Sequence, residues 1–229
     1  LHVVLVDGIP ALPPEQIPDL VDGEGRFRND MVAAGFRFFF RPRVRRQLAR
    51  EIRAQFDAFR RTGLALDHVN AHKHFHLHPT IADAIFRIGR EYGLKAVRIP
   101  AEPPGAIAAA EGGGAQGGFG AAALNLWTRQ LRAAARRHGF VTNDHVFGLA
   151  WTGAMTDARL LALIPHLPEG VSEIYFHPAR ERTPALARAM PSYRHRDELA
   201  ALVSRPVRQM LDAAGIERTS FGALAEAAA

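Results

Sequence analysis

Apolar positions recur along this chain in two rhythms, one of strands and one of helices. Leu1, Val3, Val4, Leu5 and Val6 form a short apolar run that predicts a buried strand. From Asp7 to about Asp30, Pro, Gly and Asp dominate and predict a loop. Four phenylalanines, Phe36 and Phe38 to Phe40, then lead into Arg41, Arg43, Arg45 and Arg46. From Val44 the pattern is helical: Val44, Leu48, Ile52, Phe56 and Phe59 share a face, arginines take the others, and Gly63 stops the run. His68 to Leu77 reads as extended. Pro79 and Thr80 open a helix with Ile81, Ala84, Ile85 and Ile88 on one face, closed by Gly93, and Lys95 to Pro100 reads as a short strand.

Beyond Pro100 the pattern loosens. Residues from about 103 to 120 are mostly Ala and Gly and predict a flexible loop. A basic amphipathic helix follows, with Leu124, Trp127 and Leu131 on one face and Arg129, Arg132, Arg136 and Arg137 off it. Thr156 or Asp157 caps a helix through Leu160, Leu161 and Ile164, and Val171 to Phe176 reads as a strand ending at His177-Pro178. Helices are expected from Asp197 to Val203 and from Ser204 to Ala214, a last strand from Ile216 to Phe221, and a short Ala-rich helix at the end. Strands alternating with helices predict parallel βαβ units, hence an α/β fold, in a single domain over residues 1–229.

Composition narrows the function classes. With 48% hydrophobic and 23% charged residues, the chain is not disordered as a whole. No apolar run approaches the ~18 residues of a membrane span. The absence of cysteine excludes disulfides, thiolate metal sites and thiol nucleophiles. A net charge of +6 permits phosphate, nucleic acid or anionic lipid as partners without demanding any of them.

The densest chemistry is a histidine run. His68, His72, His74, His76 and His78 lie within Asp67-His68-Val69-Asn70-Ala71-His72-Lys73-His74-Phe75-His76-Leu77-His78-Pro79. In a strand, alternate residues would put the imidazoles of 72, 74, 76 and 78 on one face. Neighbours on that face stand ~7 Å apart, too far for one ion with metal–nitrogen bonds of about 2 Å. One ligand from this strand and others from elsewhere is the expected arrangement, with the remaining histidines contacting substrate or moving protons.

Read with His2-Val3-Val4-Leu5-Val6-Asp7-Gly8-Ile9-Pro10 and Phe176-His177-Pro178, this run resembles the YdjC-like carbohydrate deacetylases over essentially the whole chain. Phe38-Phe39-Phe40-Arg41-Pro42-Arg43-Val44-Arg45-Arg46 is similar to the hopanoid-biosynthesis-associated branch of that family. The resemblance implies a distorted (β/α) barrel that removes N-acetyl groups from amino sugars, with a divalent metal ion, Mg²⁺ or Zn²⁺, held by an Asp and two His. It assigns the two imidazoles to His2 and His72. It puts the Asp, and the base, in an N-terminal Asp-Asp-Phe-Gly motif that nothing here matches, so an upstream piece carrying the first βα units of the barrel is expected. The family has Asp-Ser where this chain has Asn70-Ala71.

Amide hydrolysis needs a polarised carbonyl, an activated water and a proton for the leaving amine. His177, fixed by Pro178, is the candidate proton donor, with His74 as a second catalytic candidate beside the metal. Arg98 and Asp144 are candidates for binding the sugar. The expected partners are an amino-sugar or glycolipid substrate, here an N-acetylglucosaminyl hopanoid, and a second copy of the chain. The Phe36–Phe40 and Trp127–Arg137 segments suit a peripheral contact with the inner membrane from a cytoplasmic location. Competing readings are another metal hydrolase such as a phosphoesterase, a basic nucleic-acid-binding protein, and a chain that is inactive without the absent ligand. Scarce strand-end carboxylates argue against the first, and the lack of any nucleic-acid-binding motif argues against the second.

Overall fold

The computed structural model describes residues 1–113 and 119–228, and the side chains of all of these except 119–123. In chain order the elements are β1 (His2–Val3), α1 (Met31–Phe40), α2 (Pro42–Arg60), β2 (Asn70–Ala71), α3 (Pro79–Glu91), β3 (Ala96–Val97), α4 (Pro104–Ala110), α5 (Phe119–Arg137), β4 (Val141–Thr142), β5 (His145–Phe147), α6 (Asp157–Leu163), β6 (Ser172–Ile174), α7 (Pro184–Ala189), α8 (His195–Leu202), α9 (Arg205–Ala213) and α10 (Phe221–Ala227). They group into two compact units. The first comprises Leu1–Arg98, Trp127–Thr142 and Ser220–Ala229, and the second Ile99–Leu126 and Asn143–Thr219.

In the first unit β1 pairs in parallel with β2, and β3 with β4. A single parallel bridge, Val69 to Val97, joins the two pairs. Val3, Val69, Ala71, Ala96 and Val97 are buried in this sheet, and α2 packs against α3. α2 begins as the pattern predicts, with Pro42 in its first turn, and buries Val44, Leu48, Ile52 and Phe56. It also buries polar groups that fasten the long loop before it. The Glu51 carboxylate accepts from Ala11 N–H (2.8 Å) and Leu12 N–H (3.0 Å), and the Gln47 carbonyl oxygen from Asp19 N–H (2.9 Å). Gln55 replaces a strand partner for Val4, accepting from its N–H and donating to its carbonyl.

In the second unit β5 pairs in parallel with β6. A core of Phe147, Trp151, Met155, Leu160, Leu163 and Val207 lies among its helices. Thr156 caps α6 as expected, its side chain accepting from Arg159 N–H. Asn143, fully buried, clasps the backbone of Ile99, accepting from its N–H (2.6 Å) and donating to its carbonyl (2.8 Å).

The parallel pairs agree with an α/β fold. Among the described residues they do not close into a barrel: they form three two-stranded pairs, two of them joined by the Val69–Val97 bridge. Three local expectations are corrected. The stretch from His68 to Leu77 is extended only to Ala71 and then turns through His72–Leu77, kinked at Lys73 and His74. No strand forms over 216–221. The Ala- and Gly-rich stretch contains α4, because Pro104 starts it and four alanines sustain it; residues 114–118 of that expected loop lie outside the described residues.

Candidate functional site

The first unit gathers a site along the paired β1 and β2 and the turn that follows β2. His2 and Asn70 are partners in the parallel register. His72 leaves β2 at once, and its ring meets that of His2 edge-to-face with centroids 5.7 Å apart. Three non-glycine residues with left-handed backbone stand here: Asp7 (φ 53°) after β1, and Lys73 (φ 50°) and His74 (φ 53°) after β2. Such conformations cost of order 1–3 kcal/mol each and persist where the surroundings enforce them. Two of the three are joined by an ion pair between the Lys73 ammonium and the Asp7 carboxylate. The turn also breaks the expected row of imidazoles. His76 goes into the core, where its Nε2–H donates to the Arg98 carbonyl (2.9 Å), and His78 packs against Phe38, Phe39 and Phe75. Loss of water on burial holds His76 neutral, with its pKa down to about 3.

Asn70 is the hub of the pair. Its buried amide lies 2.5 Å from His2 Nδ1 and 3.3 Å from His68 Nε2. His68 in turn donates from Nδ1 to the Asp67 carboxylate (2.7 Å). The Arg98 guanidinium, buried at the exit of β3, lies 3.2 and 3.3 Å from the same amide. Two amide orientations therefore compete. With Oδ1 toward His2, it accepts the Nδ1 proton and leaves Nε2 of His2 with its lone pair. With Oδ1 toward Arg98 and His68, Nδ2 donates to His2 Nδ1 and the imidazole proton sits on Nε2. Partial burial, and the positive charge of Arg98, lower the pKa of His2 and favour the neutral ring that a metal requires.

His2 and His72 thus offer two imidazoles side by side. Among the described residues no group of three His, Asp or Glu is placed to hold a metal ion. Two imidazoles are a donor pair that suits a divalent ion. Beside the pair, Asp7 also lines a cleft of about 650 Å³ with Asp22, Arg26, Arg28, Asp30 and Arg37. Its volume falls in the range of small-molecule sites, and its lining is mainly charged.

The second unit builds its own constellation. Tyr175 N–H donates to the Phe147 carbonyl and continues β6 toward His177. The His177 backbone N–H donates to the Glu198 carboxylate, whose other oxygen accepts from Met155 N–H (3.0 Å). His177 Nδ1 stands 4.0 Å from Glu198 Oε2, and the His177 carbonyl accepts from His195 Nδ1–H (2.6 Å). Tyr175 and Tyr193 flank the His177 ring at 5.6 and 5.0 Å. Asp144, just before β5, accepts from Val171 N–H at 3.0 Å, just before β6.

The structure brings His2, His72, His74 and Arg98 into the first unit, with Asn70 between His2 and Arg98. It puts His177 and Asp144 into the second. Sequence reasoning missed Glu198 and Lys73–Asp7. Glu198 gives no local signal, lying on α8 in an ordinary helical stretch. Lys73 and Asp7 each follow a strand, which was their only cue.

A family model described as YdjC-like protein matches residues 1–213. The chain belongs to the YdjC-like family. A carbohydrate deacetylase of Brevibacillus brevis is 35% identical over 107 residues, which are 45% of this chain and 37% of that protein. A carbohydrate deacetylase of Geobacillus stearothermophilus is 24% identical over 223 residues, covering 96% of this chain and 74% of that one. The match to the Brevibacillus protein thus takes in little more than a third of its length. A solved structure from Enterococcus faecalis V583, named for cellobiose-phosphate cleavage, superposes with a TM-score of 0.69 at 21% identity, over 98% of this chain and 76% of that one. That likeness shows the α/β fold.

Proposed function

We propose that this chain carries part of the active site of a metal-dependent carbohydrate N-deacetylase. The observation that carries the reading is the His2–His72 imidazole pair at adjoining strand ends, in a chain whose relatives are carbohydrate deacetylases. His2 and His72 would hold a divalent ion. What such an ion supplies when bound is polarisation of the amide carbonyl and a more acidic water.

The remaining work falls to the chain's own groups. Asn70 faces both Nδ1 of His2 and the Arg98 guanidinium, so the orientation of its amide sets the tautomer of His2. The mixed charges around Asp7 bind and orient sugar hydroxyls in the cleft. His74, held in its left-handed turn, contacts substrate. In the second unit His177 is placed to hold and release a proton, its main chain anchored by Glu198 and its ring beside that carboxylate. The substrate we assign is an N-acetylglucosaminyl hopanoid, in keeping with the phenylalanine- and arginine-rich segment of the hopanoid-associated (HpnK-type) branch.

The experiment is an acetate-release assay on the natural protein that carries this chain, with N-acetylglucosaminyl hopanoid and diacetylchitobiose in parallel. Release from both, faster from the hopanoid, is expected. Release from chitobiose alone would overturn the lipid assignment. Release from neither, with phosphate freed from phosphoesters, would overturn the deacetylase reading.

A further inference from the structure

α1 wears its larger apolar face outward. Toward the protein it turns Ala34, Gly35 and Phe38, which are buried. Gly35 sits so close to His78 that an added Cβ would come within 3.3 Å of that ring. On the other side Val32, Phe36, Phe39 and Phe40 follow the i, i+4, i+7, i+8 spacing of one helical stripe. Their exposures are 71, 63, 49 and 66%. Phe36 stacks on Phe40 at 6.1 Å and Phe39 meets Phe40 edge-on at 4.9 Å, so the rings contact each other across the surface instead of entering the core. An apolar groove of about 340 Å³ runs along them. A cluster of this kind on a soluble face marks a contact site.

The charge around it says what the contact is. From Met31 to Arg46 the chain carries Arg37, Arg41, Arg43, Arg45 and Arg46 and no acidic residue. Arg43 is engaged by Asp19. Arg41, Arg45 and Arg46 are exposed and pair with no carboxylate among the described residues. A second protein surface, or a second copy of this chain, would have to cover rings and unpaired guanidinium groups together. An anionic bilayer answers both: rings enter the acyl boundary while guanidinium groups stay at the phosphates.

We propose that α1 and the start of α2 form a membrane-docking face for anionic phospholipid bilayers, with Phe36, Phe39 and Phe40 inserted at the interface and Arg41, Arg45 and Arg46 at the headgroups. The proposal stands apart from the chemistry assigned above and survives or fails independently of it.

The test is co-sedimentation of the full chain with phosphatidylcholine vesicles, with and without 25% phosphatidylglycerol. Binding to the anionic vesicles at low salt, falling steeply by 0.5 M salt, is expected. The triple variant Phe36→Ser/Phe39→Ser/Phe40→Ser should bind on the order of 100-fold more weakly, and so should Arg41→Gln/Arg45→Gln/Arg46→Gln at low salt. Because the chain has no cysteine, Phe36→Cys accepts a single environment-sensitive label. Its emission should shift to the blue on adding anionic vesicles. No binding at low salt would overturn the proposal, as would binding that neither triple variant weakens. So would a label shift that follows protein concentration without vesicles, which would make the face a contact between copies.

Discussion

Asn70 stands 2.5 Å from Nδ1 of His2, and the same amide faces the guanidinium of Arg98. One amide cannot present its oxygen to both. A carboxylate can, since either oxygen accepts from either neighbour. Asn70→Asp should therefore fix the His2 proton on Nδ1, free Nε2, and tighten divalent-metal binding about tenfold, the lower end of what groups behind a metal ligand contribute. Isothermal titration with Zn²⁺ and Mg²⁺ checks this. Unchanged or weaker binding would show that the amide does not limit the pair.

Glu198 holds two backbone N–H groups, of Met155 and His177, while almost fully buried. Glu198→Gln turns an amide nitrogen toward one of those donors. A buried donor left without an acceptor costs about 1–3 kcal/mol, so the melting temperature should fall by several degrees. Because the His177 main chain hangs from this carboxylate, kcat should fall at least tenfold with KM little changed. Loss of stability with kcat intact would make Glu198 structural only.

Gly153 has φ 74°, and its carbonyl accepts from Arg194 N–H at 2.6 Å. A Cβ there would overlap the Tyr193 ring that flanks His177. Gly153→Ala should cost about 2–4 kcal/mol, combining left-handed strain with overpacking. Chemical denaturation measures it. A change below about 1 kcal/mol would mean that Tyr193 swings aside freely.

His76 gives the fold a signed pH dependence. Its pKa is about 3 in the folded chain against an ordinary value of 6.5. Above pH 6.5 both states are neutral and His76 contributes nothing. Below it the unfolded chain takes up a proton that the folded chain refuses, so stability falls by about 1.4 kcal/mol per pH unit until the folded pKa is reached. Urea unfolding between pH 7 and 4.5 should show this slope, and His76→Gln should flatten it. An equal slope in the variant would assign the acid sensitivity elsewhere.

The residues explain which parts of this molecule were legible in advance. α2 and α3 were, because apolar spacing and an initial proline act locally. α1 was not, since Phe36 and Phe38 to Phe40 make it apolar on two faces and blur its period. The histidine run alternates like a strand, yet it turns through left-handed backbone at Lys73 and His74, where Lys73 pairs with Asp7, 66 positions away. His2 and His72 came from family likeness; their contact comes from β1–β2 pairing. Glu198 supports His177 across 21 positions, a relation that no local pattern encodes.

The central claim is that His2 and His72 act together on a divalent ion during amide cleavage. The most direct measurement is acetate release by the natural protein that carries this chain, titrated with metal after chelator treatment, beside His72→Ala and Lys95→Ala. The account predicts that activity returns with metal in the parent and in Lys95→Ala, and that His72→Ala stays at least 100-fold lower at any metal concentration. Metal-independent release, or full activity in His72→Ala, would contradict it.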